Sequence, residues 1–186
     1  MNTQFRIIIA ICFITFLISC ASTQNYKPVE KLAKLKVSFS DSKWDGKVVP
    51  KDEVCFRGGA NGASPELKVE GVPKGANAIV VEFNDSDYAP LSSGGGHGAI
   101  WVLTNGQNTV TVPSVPTESD EVPPGVNVEH KHRGHGSGIL AGVYLAPCSN
   151  GKGNAYFADI KAVFKAGSDQ EISKLLAEGR IDLGRY

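Results

Sequence analysis

The chain has no net charge to offer a partner: its 19 basic and 19 acidic residues balance, so nothing in its electrostatics points to nucleic acid. It has no Gly-x-Ser-x-Gly elbow and no His-Glu-x-x-His helix, which removes the commonest hydrolase and zinc-protease signatures. Ser137 near His135 lacks an orienting acid. Asp85 and Asp87 sit on one turn, poorly placed to flank a scissile bond. Together these absences argue for a non-enzymatic protein without a cofactor. Nor does it have an apolar run long enough to span a bilayer comfortably, since the longest, Ile7 to Ile18, is twelve residues. Cysteine is scarce, at four.

That short apolar run follows Arg6 and ends in Leu17-Ile18-Ser19-Cys20, the pattern of a signal peptide h-region. Its ending resembles a bacterial lipoprotein signal. The resemblance implies removal of residues 1–19, acylation of Cys20 and a lipid anchor without a spanning helix. Ala21 and Ser22, with no Asp at the second position, resemble signals sorted to the outer membrane, facing the periplasm. With Cys12 in the leader and Cys20 committed to lipid, Cys55 and Cys148 remain. In an exported domain they either pair in a disulfide or stand as two separate buried thiols.

Glycine (21) and proline (10) are plentiful, favouring a β-rich domain with many turns. Residues 20–34 read as a polar tether, and one domain spans residues 35–186. Alternation predicts strands from Leu35 to Phe39 and from Glu66 to Glu70, and the longest from Ala155 to Phe164. Two apolar runs, Ile79 to Phe83 and Ala99 to Leu103, read as core strands. Asn105-Gly106 is a hairpin signal, with Thr109 to Val112 returning. Residues 113–138 form a long connection carrying His130, His132 and His135. Ser168-Asp169-Gln170-Glu171 has the form of a capping box. Ile172, Leu175 and Leu176 follow as a helical stripe and Gly179 as its stop, so a C-terminal helix is expected.

Between the two core strands lie the acidic turn Asn84-Asp85-Ser86-Asp87-Tyr88-Ala89-Pro90, the run Gly94-Gly95-Gly96, and His97. Strands that carry two carboxylates and a histidine to one end of a sheet describe a small polar pocket. In this reading a protonated His97 beside a carboxylate donates to a bound anion, and the glycine amides face the same ligand. The plainer reading has the aspartates bonding turn amides. The three loop histidines suit a transition metal by residue type. Without a nearby thiol or fixed carboxylate they read instead as a solvated basic loop, so no metal site is assigned.

Several separated pieces resemble the bacterial phosphatidylethanolamine-binding protein family, whose members are also called Raf kinase inhibitor-like proteins. They are the run from Leu35 through Pro50, then Cys55, Gly59 and Asn61, Ser64-Pro65-Glu66-Leu67, Val72-Pro73-Lys74-Gly75-Ala76, and Asp85-Ser86-Asp87-Tyr88-Ala89-Pro90. His97, Tyr144-Leu145-Ala146-Pro147-Cys148, Tyr156 and the closing Leu183-Gly184-Arg185-Tyr186 complete the set. The resemblance implies a β-sandwich with a C-terminal helix and a ligand pocket made by Asp85, Asp87, His97, Pro147, Asn154 and Tyr156. It implies as partner a small anion, phospholipid head group or other polar ligand, and in a second reading an envelope serine protease inhibited through surface loops; the membrane is expected as a partner through lipidated Cys20. The chain departs from the family in having Ser149-Asn150 for Pro-Pro, Asn154-Ala155 for His-Arg, Ser86 for Pro and Ala146 for Gly.

Overall fold

The computed structural model describes residues 25–168 and 171–186. The expected signal peptide and Cys20 lie outside the described residues. The chain is mainly β: nine strands in two sheets, with two single-turn 3-10 segments, Phe56–Gly58 and Ala89–Leu91, and no α-helix among the described residues. In chain order the strands are β1 (Lys27–Lys34), β2 (Lys36–Phe39), β3 (Leu67–Glu70), β4 (Ala78–Asp85), β5 (Ala99–Leu103), β6 (Thr109–Val112), β7 (Val126–His130), β8 (Ala155–Phe164) and β9 (Lys174–Arg185). The larger sheet runs β1-β9-β8-β4-β5-β7 and the smaller β2-β3-β6.

The main core lies between the sheets. Val69 and Val110 of the small sheet face Ile79, Val81, Ile100 and Ile160 of the large one, so alternate residues of each strand leave water. Strand β4 is buried along nearly its whole length because its second face is covered too. There Ala78 and Val80 pack with Val163, Leu175 and Tyr26, a residue just ahead of β1. This double burial explains the unbroken apolar run Ile79-Val80-Val81 where a one-sided strand would alternate.

Three expectations are corrected. The C-terminal helix is strand β9, antiparallel to β8 and parallel to β1. Leu175 and Ala177 are buried between less buried neighbours, a two-residue period, and Ile172 of the supposed helical stripe is exposed. Twelve residues of ladder outweigh a local capping signal, two residues of which lie outside the described ones. The tether expected through residue 34 is ordered strand from Lys27 onward. As an edge strand β1 fully buries no residue, and only Val29 and Leu32 are half-buried, so its sequence shows no alternation. Finally, Asn105 and Gly106 do form a left-handed turn, with φ of 49° and 73°, but β6 returns to the other sheet and pairs β3 instead of forming a hairpin with β5. The long connection also contains β7.

Candidate functional site

Register brings the site together. Asp85, the last residue of β4, lies opposite Tyr156 on β8, and Asn154 stands just before β8. His97 enters β5, its N–H donating to Phe83 C=O at 2.9 Å. These four side chains line one cavity of about 260 Å³, with Arg57, Tyr88, His135, Ile139, Lys152 and others completing its walls.

At the floor, Asp85 is 4% exposed. Its Oδ2 accepts from Asn154 Nδ2 at 2.8 Å and its Oδ1 from the Asp87 amide at 2.9 Å. Tyr156 packs edge-on against His97, ring centroids 5.3 Å apart, and its hydroxyl accepts the Cys148 amide at 3.2 Å. Burial, with the Asp85 carboxylate adding to it, pushes the Tyr156 phenol up to about 12, so it stays protonated as a donor.

His97 differs from expectation. Its Nδ1 lies 2.7 Å from Leu145 C=O, an acceptor only, so Nδ1 carries the ring proton. Complete burial pushes the imidazole down to about 4, because desolvation of the charged form exceeds what the Leu145 carbonyl and Asp85 return. The ring is therefore neutral near pH 7. Its Nε2 is a lone-pair acceptor with no hydrogen-bond partner among the described residues, where sequence reasoning expects a cationic donor.

The glycine amides are also spoken for. Those of Gly95 and Gly96 donate to Asn84 Oδ1 at 3.0 and 3.2 Å, which fixes the turn and keeps them from a ligand. A side chain at Gly96 would collide with the Leu91 backbone at 2.3 Å, so the close approach requires glycine. Arg133 braces this turn from outside, donating to the carbonyls of Gly94 and Ser93 at 3.0 and 2.7 Å.

Two of the six expected pocket residues do not line the cavity. Asp87 turns outward, accepting the Ala155 amide at 2.7 Å, as in the plainer reading. Pro147 lies behind the wall, its carbonyl accepting the Cys55 amide at 3.2 Å.

The rim is what the sequence conceals. Cys55 and Cys148 are joined in a disulfide, Cα atoms 5.4 Å apart. It draws the Phe56–Gly58 turn against the wall segment, where Arg57 Nη2 donates to Cys148 C=O. Arg57 and Lys152 thus bring two cations to a cavity whose floor has a carboxylate. Lys152 makes no ion pair among the described residues. The loop histidines are held singly: His132 Nε2 lies 2.9 Å from Leu140 C=O and His130 Nδ1 3.0 Å from Lys131 C=O.

No family model matches the chain, and no curated protein matches it. It is similar to the crystal structure of a candidate phosphatidylethanolamine-binding protein homologue from Chlamydia trachomatis. Identity is 17% and the TM-score 0.48, over 82% of this chain and 97% of that one. It is also similar to the structure of E. coli YbcL, described as a new member of the mammalian phosphatidylethanolamine-binding protein family. Here identity is 18% and the TM-score 0.49, over 83% and 98% of the two chains.

Proposed function

We propose that this chain is a phosphatidylethanolamine-binding protein-like envelope lipoprotein that binds a small polar ligand and does no chemistry on it. The observation that carries the reading is the polarity of the cavity. The floor presents an acceptor, the Asp85 carboxylate, and no cation, since His97 is neutral with its Nε2 buried, and it calls for an N–H or ammonium group. The walls bring Arg57 and Lys152, which suit a phosphate or carboxylate. A ligand with an amine at one end and an acid at the other satisfies both. Phosphoethanolamine, free or as a lipid head group, has that form. A bare anion satisfies only the walls and meets the Asp85 carboxylate below.

Lipid attachment at Cys20 would hold the domain at a membrane, with removal of residues 1–19, and the signal resembles those for the outer membrane. Intact mass of the exported protein tests this: acyl chains on Cys20 are expected, and an unmodified thiol there contradicts it.

Thermal denaturation with ethanolamine, inorganic phosphate and phosphoethanolamine tests the ligand class. The largest stabilisation is expected with phosphoethanolamine, lost in Asp85→Asn. An equal shift with phosphate alone, retained in that variant, would overturn the proposed polarity.

A further inference from the structure

We infer that Glu118 is a positioning residue for the cavity, its carboxylate holding two wall segments in register and its backbone, with Thr117, a third. The inference rests on reading that cavity as a ligand site. Glu118 is 7% exposed, makes no ion pair among the described residues, and has a left-handed backbone with φ of 51°. A buried carboxylate without a cation, on a conformation few side chains adopt, persists only where its surroundings repay it.

The repayment is a set of amides from distant parts of the chain. Oε2 accepts the Phe56 N–H and Oε1 the Leu140 N–H, both at 2.8 Å. Phe56 immediately precedes Arg57, and Leu140 immediately follows Ile139; Arg57 and Ile139 both line the cavity. The Glu118 N–H donates to Tyr144 C=O at 2.7 Å, and Thr117 Oγ1 accepts the Ala146 N–H at 2.9 Å. Between those contacts sits Leu145, which also lines the cavity and whose carbonyl holds His97. Three segments of wall meet at one pair of residues.

Packing does part of this, through Cys55 and Ile139 beside the two amides, but not at the amides themselves. Phe56 and Leu140 are 42% and 55% exposed, so their side chains give the loops little anchorage. Their backbones are fixed from beneath, by the carboxylate and, for Leu140, by His132 on its carbonyl. The wall that carries Arg57 is therefore set by the Cys55–Cys148 disulfide together with a hydrogen bond to a residue outside the cavity lining.

Glu118→Gln tests this, since it keeps one acceptor and turns an NH₂ toward the other amide. Amide hydrogen exchange is read at Phe56, Leu140, Val80 and Ile160, with calorimetric affinity for phosphoethanolamine. Exchange at Phe56 or Leu140 is expected to rise at least tenfold, with Val80 and Ile160 in β4 and β8 unchanged, and affinity to fall at least tenfold. Exchange as in the wild type, or altered exchange with unaltered affinity, would overturn the inference. So would equal acceleration in β4 and β8, the mark of a general stabiliser. Leu140→Pro, which deletes one donor and spares the carboxylate, is the second variant; it too must weaken binding, and full affinity contradicts the role. If the wild type does not bind phosphoethanolamine, the proposed function fails, and the exchange rates alone decide for or against Glu118.

Discussion

Asp85, His97 and Tyr156 at the cavity floor stand at the ends of paired strands, whereas Arg57, Ile139 and Lys152 at its rim stand on loops. The floor is placed by ladder hydrogen bonds and by the core between the sheets. The rim is placed by one disulfide, one buried carboxylate and a few carbonyl contacts. A floor built this way is fixed once the domain folds. The rim can be loosened while the sheets persist, so on the proposed function recognition of a ligand's acidic end is more easily perturbed than that of its amine.

The largest expected effect breaks the rim's covalent tie. Cys55 and Cys148 are 93 positions apart, and losing their bridge in the double serine variant should cost about 4 kcal/mol, mostly through the freed unfolded chain. Urea denaturation measures it, and a loss below about 1 kcal/mol would mean that the rim gains little from the bridge.

The next effect belongs to the floor. The folded imidazole of His97, pushed down to about 4, lies below its unfolded value of about 6.5. Between these values the unfolded chain binds the proton and the folded one does not. Stability should therefore fall as pH drops from about 6.5 to about 4, by roughly 3 kcal/mol from this group. His97→Asn, which retains a donor for Leu145, should flatten that part of the pH profile of denaturation. An unchanged profile would show His97 to be accessible to protons in the fold.

A smaller effect separates the two aspartates. Asp85→Asn replaces an acceptor that takes two hydrogen bonds and should cost about 1–3 kcal/mol along with ligand binding. Asp87→Asn should leave affinity within about twofold, a difference worth under about 0.5 kcal/mol. Calorimetry on the pair decides whether both or one belongs to the site. The smallest effect is Lys152→Ala at the rim, exposed and without an ion pair among the described residues, which should change stability by less than about 0.5 kcal/mol while weakening binding of the acidic end.

The same division explains what could be read from the chain. The apolar runs around Val80 and Ile100 and the alternation of β8 are local patterns, and they place Asp85, His97 and Tyr156 because those residues sit at strand ends. Arg57 and Ile139 carry no such signal: their approach depends on Glu118, 62 and 22 residues away from the amides it holds, and for Arg57 also on a disulfide spanning 93 positions. His97 was legible as a pocket residue but not as a neutral acceptor, since its state follows from complete burial and from the Leu145 carbonyl. The C-terminal segment shows the reverse error, where a local helix signal at Ser168 yields to strand pairing with β8.

The most direct test of the account is the affinity of phosphoethanolamine and of inorganic phosphate for the wild type and Asp85→Asn, by calorimetry at pH 7. The account predicts that the wild type prefers phosphoethanolamine by at least tenfold and that the variant loses this preference. Tighter binding of phosphate by the wild type, or an undiminished preference in the variant, would contradict a floor built to receive an amine.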